Sequence, residues 1–489
     1  MALTTNNAAL LEKMPAKYRK IFELFFELCE VPHGSGNRKP VTNWLVNFAK
    51  TNCLEYTVDE TSNVLIKVPA TKGYENVPGI CLQNHTDKVD VKKPEQVHDF
   101  SKDPLVLRQE GEYLYATNTT LGADNGMGLV TALALAIDST YQHGPIEILC
   151  TSDEEIGLIG ASKLAPCLKS KYLLNMDTEE FGDICISCAG GFRVNISKTF
   201  KKIEVADRKV IEISIDGYSG GHSGCEIHLF RANAIKQMAK LIKLLPASYD
   251  ARIISINGGT THNAIPAFCK ARIAISNCDC KESCPLQSIF DKITKQYVEE
   301  KKATISSKFV EEKQCFNSED TQEILNIILT LPHGPQRISQ AVKDFVESSF
   351  ATTIVKTCED GTVDFLGSGR SCYSEELDHI YMSLKSICQL VKWNITGMES
   401  AYPGWPANPD SPLLKICQEV YAKHAKDVKI SAIHAGLEAG MICALHPGMD
   451  AISIGPTIIS PHSPTEHCEI STVGPIFDIV KDLLEKFTQ

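Results

Sequence analysis

Apolar positions along the chain follow two periods. Phe22, Phe25, Phe26 and Cys29 recur at helical spacing within residues 18–31, and residues 40–50 carry a second amphipathic pattern. A strand-like run at 63–68 follows. Further apolar runs stand at 79–84, 146–151, 172–176 and 451–456, with a helical run at 127–137 among them. This alternation predicts an α/β sheet. After Gly191 the pattern changes to strand 210–215, helix 232–245, strands 253–257 and 269–275, helix 285–301 and strand 304–311. That β-α-β-β-α-β order is the ferredoxin-like arrangement. A β-β-α-β stretch over 346–402, with its helix at 374–391, reads as a partial repeat. The sheet pattern returns after Pro403 with helix 411–423, strand 428–432 and the run that leads to His462. The expected fold class is therefore α/β: an α/β/α sandwich from residues 1–189 and 404–489, with an α+β lid of ferredoxin-like repeats inserted as 190–403.

Composition changes the picture only at its margins. A chain of 489 residues exceeds one ordinary core, in keeping with two domains. Hydrophobic content of 43% and charged content of 22% are those of a globular protein. The net charge of −11 argues against nucleic acid or an anionic membrane as partner. No apolar run approaches the roughly 20 residues of a membrane span, and residues 1–13 lack the apolar core of a secretory signal. Nineteen cysteines without a framework spacing point to thiols in a reducing compartment, so a cytoplasmic location is expected. Cys278, Cys280 and Cys284 have a loosely metal-like spacing but no second pair, and read as surface thiols.

The chemistry lies where the runs end. Run 79–84 leads into His85-Thr86-Asp87, run 146–151 into Asp153-Glu154-Glu155, run 172–176 into Asp177, and run 451–456 onward to His462. In open α/β sheets ligands bind beyond the carboxyl ends of the strands. Asp124 sits among small residues in Gly122-Ala123-Asp124-Asn125-Gly126, where a ligand would meet the backbone closely. Alone, Asp124 reads as a helix cap; in this company it can bridge two ions. Ligand counting gives His85, Asp124 and Asp177 for one ion, and Asp124, Glu155 and His462 for the other. Three ligands per ion leave room for water, as a catalytic zinc needs, and nitrogen and oxygen donors also suit cobalt or manganese. Asp87 lies two residues from His85 and is expected to orient it. Glu154, beside a ligand but free, is the candidate general base. Without the other ligands, Asp-Glu-Glu would be an ordinary solvated loop.

These stretches, together with Gly220-Gly221-His222-Ser223-Gly224, Asn263-Ala264-Ile265-Pro266 and His434-Ala435-Gly436-Leu437-Glu438, resemble the dinuclear zinc metallopeptidases of the carnosinase and carboxypeptidase G type. Within that family they look most like the aminoacyl-histidine dipeptidase branch. One departure is Lys88, where bacterial relatives usually carry an apolar residue. The resemblance implies two zinc ions and hydrolysis of unblocked dipeptides, Xaa-His included, with a small peptide as substrate. It leaves a homodimer open. It further implies that His222 stabilises the oxyanion, that Asn263 and Arg370 hold the substrate's carbonyl and carboxylate, and that Glu438, in the loop with His434, faces its amino end. A cis peptide between Asp124 and Asn125 is also implied. The nearest alternative is an aminoacylase or deacetylase of the same architecture acting on N-acyl amino acids. A binding protein that keeps the fold is the other, against which the intact Glu154 argues. The doubled lid predicts that His222 and Arg370 serve their own chain.

Overall fold

The protein is described here by a computed structural model covering residues 3–165, 167–276 and 285–489. The Cys278, Cys280 and Cys284 group lies outside the described residues. Two compact units emerge: Met1–Cys188, Trp405–Ala432 and Leu437–Gln489 form the first, Ala189–Gly404 and Ile433–Gly436 the second. The return of the chain to the second unit at Ile433–Gly436 has no signature in the apolar pattern.

The first unit is built on an eight-stranded sheet. Its order is Glu55–Val58, Val64–Val68, Ile146–Thr151, Ile80–His85, Tyr172–Asn175, Asp450–Ser453, Asp183–Cys188, Lys429–Ile433. The four central strands run parallel. They are buried almost throughout, which is why they read as unbroken apolar runs rather than alternating ones. Helix Ala123–Ile137 packs against the strand Ile80–His85 and against helix Arg19–Cys29, whose Phe22, Phe25 and Phe26 are wholly buried. Because the central strands are parallel, the segments after His85, Thr151, Asn175 and Ser453 all leave from one edge. A small antiparallel hairpin, Ile458–Ile459 with His467–Glu469, carries the loop that holds His462 and Glu466.

The second unit holds a ten-stranded sheet containing two ferredoxin-like sets. In the first, Thr304–Val310, Lys209–Asp216, Cys269–Ile275 and Arg252–Gly258 lie in spatial order 4-1-3-2, all antiparallel. The second set repeats that order with Asn394–Ile395, Gly190–Thr199, Thr362–Ser371 and Val346–Thr357. The expected partial repeat is therefore a complete one. Its first strand, Gly190–Thr199, and first helix, Ser318–Thr330, are separated in sequence by the whole first set. The helix expected at 285–301 is shorter, Leu286–Thr294, because the chain turns to bury Glu300, whose carboxylate accepts the Ser219 and Ala232 amides at 2.7 and 3.2 Å. Among the described residues no disulfide forms and no helix is long and apolar enough to cross a membrane.

Candidate metal centre

Five strand-end and loop residues of the first unit converge. Asp124 Oδ1 lies 3.0 Å from His85 Nε2, and its Oδ2 lies 3.0 Å from His462 Nε2. Asp177 Oδ1 is 3.5 Å from the same nitrogen of His85, and Glu155 Oε2 is 3.0 Å from that of His462. The ligand atoms of His85, Asp124 and Asp177 lie within 4.8 Å of one another, as do those of Asp124, Glu155 and His462. Asp124 thus presents one oxygen to each trio. The peptide between Asp124 and Asn125 is cis.

Electrostatics bear on what the centre holds. Burial works against a charged His85, yet the carboxylates of Asp177, Asp124 and Asp87 raise its pKa well above the ordinary range. Hydrogen bonds to Asp124 and Glu155 push His462 up to about 11. Burial, opposed by His85 and reinforced by Asp124 and Glu155, lifts Asp177 to about 6. Positive charge is therefore held between carboxylates that would otherwise repel. Glu155 Oε1 is buried with no hydrogen-bond partner among the described residues. A nitrogen-and-oxygen donor set of this charge fits two divalent cations taking the place of those protons.

Glu154 lies within the same radius of His85 and Glu155. No side chain among the described residues donates to its carboxylate. Burial, with Asp177, Glu438 and Glu155 nearby, raises its pKa well above the usual carboxylate range, although His85 opposes the rise. Asp87 meets His85 twice: its carboxylate is 3.6 Å from Nδ1, and its backbone carbonyl makes a 3.0 Å hydrogen bond to the same nitrogen. The carboxylate also accepts the amides of Glu154 at 2.9 Å and Glu155 at 3.3 Å.

Two features had no counterpart in the sequence reading. Glu466 is 2% exposed, and its carboxylate accepts the amides of Leu121, Gly122 and Ala123 at 2.8, 3.1 and 2.8 Å. It, rather than Asp124, supplies the anion at the start of the Ala123–Ile137 helix. The small residues there also answer to the protein rather than to a ligand. A Cβ on Gly128 would stand 2.4 Å from the Met176 carbonyl, and one on Gly126 would stand 3.1 Å from Leu28. The second feature is a buried polar chain crossing the sheet. Thr151 and Gln83 donate to Glu438, Asn175 donates to Gln83 at 2.6 Å, and Ser453 donates to Asn175. Glu438 is fully buried, and its Oε1 has no partner among the described residues. Burial pushes its pKa up to about 7. Lys88 is 3% exposed, paired with Asp90 at 2.7 Å and set over the Phe100 ring, so the charge that departs from the relatives' apolar residue is buried and compensated.

In the second unit, strands Gly221–His222 and Ala264–Ile265 pair, which brings Asn263 beside the His222 turn. His222 Nδ1 accepts the Gly224 and Cys225 amides at 3.2 and 3.0 Å, so its proton sits on Nε2. Burial and Arg370 push its pKa down to about 4. Arg370 donates to the Tyr402 hydroxyl at 3.2 Å, and its Nε is buried without a hydrogen-bond partner among the described residues. His434 Nε2 meets Ser349 at 2.7 Å, and burial, with Arg370, pushes it down to about 3.

Strand-end carboxylates and histidines around a two-ion donor set, with an α+β insertion in the sheet domain, define a metallopeptidase architecture. The chain belongs to peptidase family M20/M25/M40, whose sequence model matches residues 81–486. This bears out the family that the motifs resemble. The chain is 35% identical over 475 residues to the cytosol non-specific dipeptidase of Escherichia coli strain K12, covering 95% of this chain and 97% of that one. The crystal structure of aminoacylhistidine dipeptidase from Vibrio alginolyticus superposes with a TM-score of 0.89 at 32% identity, covering 97% of this chain and 98% of that one. Aminopeptidase PepT from Bacillus cereus ATCC 10987, at 16% identity and a TM-score of 0.57 over 96% and 98% of the two chains, shares the fold.

Proposed function

We propose that the protein hydrolyses the peptide bond of unblocked dipeptides, those of Xaa-His type included, with two zinc ions bound by His85, Asp124, Asp177, Glu155 and His462. Cobalt or manganese suits the same donors. The observation that carries the reading is the pairing of a two-sided Asp124 with a Glu154 carboxylate to which no side chain among the described residues donates. Ions held there supply Lewis acidity and an electrostatic clamp. Glu154 takes a proton from the attacking water and returns it to the leaving amine. Asp87 holds Glu154 in place through the backbone amide.

The lid residues keep the roles that the resemblance implies. A neutral His222 with its proton on Nε2 supports a donor role toward a developing oxyanion. Arg370, with a buried Nε that has no hydrogen-bond partner among the described residues, supports recognition of a carboxylate. For Glu438, full burial and the bonds to Gln83 and Thr151 leave only Oε1 to act on a substrate's amino end. The dipeptidase names of the relatives at 35% and 32% identity support a dipeptide over an N-acyl amino acid. The cytosolic name of the first, and the absence of disulfides among the described residues, support a cytoplasmic location. The test is to assay the zinc-loaded protein against β-Ala-His, Gly-Gly and an N-acetyl amino acid. Turnover of the first two and not the third supports the reading; turnover of the acylated substrate alone overturns it.

A further inference from the structure

Residues 33–38 join the first two long helices of the catalytic unit and run as a strap across both loops that carry its acids. Lys88 N–H donates to His33 O at 3.1 Å and Ser35 N–H to Lys88 O at 3.2 Å, so the strap lies as a short parallel bridge beside the loop after His85. The Asp90 carboxylate closes over the middle of the strap, where a Cβ on Gly34 would sit 1.8 Å from it, so any larger residue there would have to push Asp90 aside. From this footing Ser35 Oγ donates to Asp87 Oδ2 at 2.8 Å. One step on, Gly36 N–H donates to Asp153 Oδ1 at 2.7 Å, and the Arg38 guanidinium grips Asp153 Oδ2 through Nε and Nη2. Arg38 opens the helix Arg38–Thr51, so the grip is mounted on a rigid element.

Asp153 is the residue before the base. Its side chain is 1% exposed, so its charge depends on the strap for compensation. Its φ of +53° lies in the left-handed region, which aspartate adopts more readily than most residues. The Gly36 amide and Arg38 hold it there. Glu154 is thus fixed from both sides, by Asp153 before it and by Asp87 through its own amide, and the strap holds both aspartates.

We infer that Arg38 and Asp153 are positioning residues for Glu154, a role that rests on Glu154 acting as the base. Neither touches substrate; they set the direction of the carboxylate that does. A misplacement of about 1 Å in a reacting group costs on the order of 100-fold in rate. Losing the fork at Arg38 lets Asp153 leave its left-handed conformation and carries Glu154 with it.

The experiment is a coupling measurement. Arg38→Met, Arg38→Lys and Asp153→Asn are each made alone and in a Glu154→Gln background, and kcat, KM, bound metal and thermal midpoint are recorded. The expected result is a kcat lower by roughly 10- to 100-fold with KM within about 2-fold and metal content unchanged. In the Glu154→Gln background the same substitutions should cost less than about 3-fold, because the group they position is no longer a base. Equal losses in both backgrounds would overturn the inference, as would a kcat that falls only in step with lost metal. If Arg38→Met fails to fold, Arg38→Lys decides: wild-type kcat in that variant refutes the fork. A Glu154→Gln chain with full activity would refute the base itself, a separate and recognisable failure.

Discussion

Glu466→Gln is the substitution whose cost the structure lets one work out. The carboxylate is buried and accepts Leu121 and Gly122 on Oε2 and Ala123 on Oε1, with Asp124 N–H at a long 3.5 Å. Glutamine keeps one acceptor oxygen. In its better orientation that oxygen serves Leu121 and Gly122, and the amide nitrogen confronts the Ala123 N–H. One buried donor left unsatisfied costs about 1–3 kcal/mol, and two bonds changed from charge-assisted to neutral cost about 1–3 kcal/mol more. Against this, burial and the Asp124 charge push the Glu466 pKa from 4.5 up to about 6. That rise is already net of the amide bonds, so the neutral glutamine is left chiefly with the unsatisfied Ala123 amide, and the expected destabilisation of the metal-free protein is about 1–3 kcal/mol. Urea unfolding followed by far-UV circular dichroism measures it as a lower midpoint at unchanged slope. Metal competition should show weaker binding as well, since the Asp124 segment loses its anchor. A midpoint within about 0.5 kcal/mol of wild type would refute the role given to Glu466.

Asp124→Ala should cost both ions, because each trio drops to two ligands; elemental analysis that finds two tightly held metals would contradict the shared bridge. Metal binding at pH 7.5 should release at least two protons, one each from His85 and His462, and calorimetry in buffers of different ionisation heat reads that number. With His462 raised from 6.5 to about 11, its ion pairs stabilise the metal-free fold fully below about 6.5 and are lost as pH rises toward 11. Stripped protein should therefore melt progressively earlier between pH 7 and 10, and a midpoint rising over that range would contradict the pairing. A His222→Ala chain mixed with a Glu154→Gln chain should show no recovery of activity under subunit exchange; recovery well above either parent would mean that His222 serves a partner's site.

The centre is legible because most of its candidate ligands stand in segments that follow apolar strands, with Asp124 marked instead by its small neighbours. His85, Asp177 and the Glu154-Glu155 pair needed only the rule that parallel strands deliver their loops to one edge. What escaped notice was polar structure without a period. Glu466 is one loop glutamate among sixty acidic residues, and nothing local marks it as the partner of a turn more than 300 positions earlier. Gln83, Asn175, Ser453 and Thr151 hide inside apolar strands, where single polar residues look like noise until the strands align. The second ferredoxin-like set looks partial in the sequence because its first strand lies before the other set and its remaining strands after it. Asp153 stands in an acidic triplet, and no pattern in the sequence announces its left-handed φ. The cis peptide at Asp124 came from the family resemblance and from nothing in the spacing.

The central claim is that Glu154 moves the proton at a metal centre that exists without it. Glu154→Gln preserves size and leaves all five ligands in place. Metal content and the rate of β-Ala-His hydrolysis, measured on the same zinc-loaded preparation, should give two ions per chain and a rate lower by roughly 10²–10⁴-fold or more. A variant that holds its metals and keeps most of its activity would contradict the account.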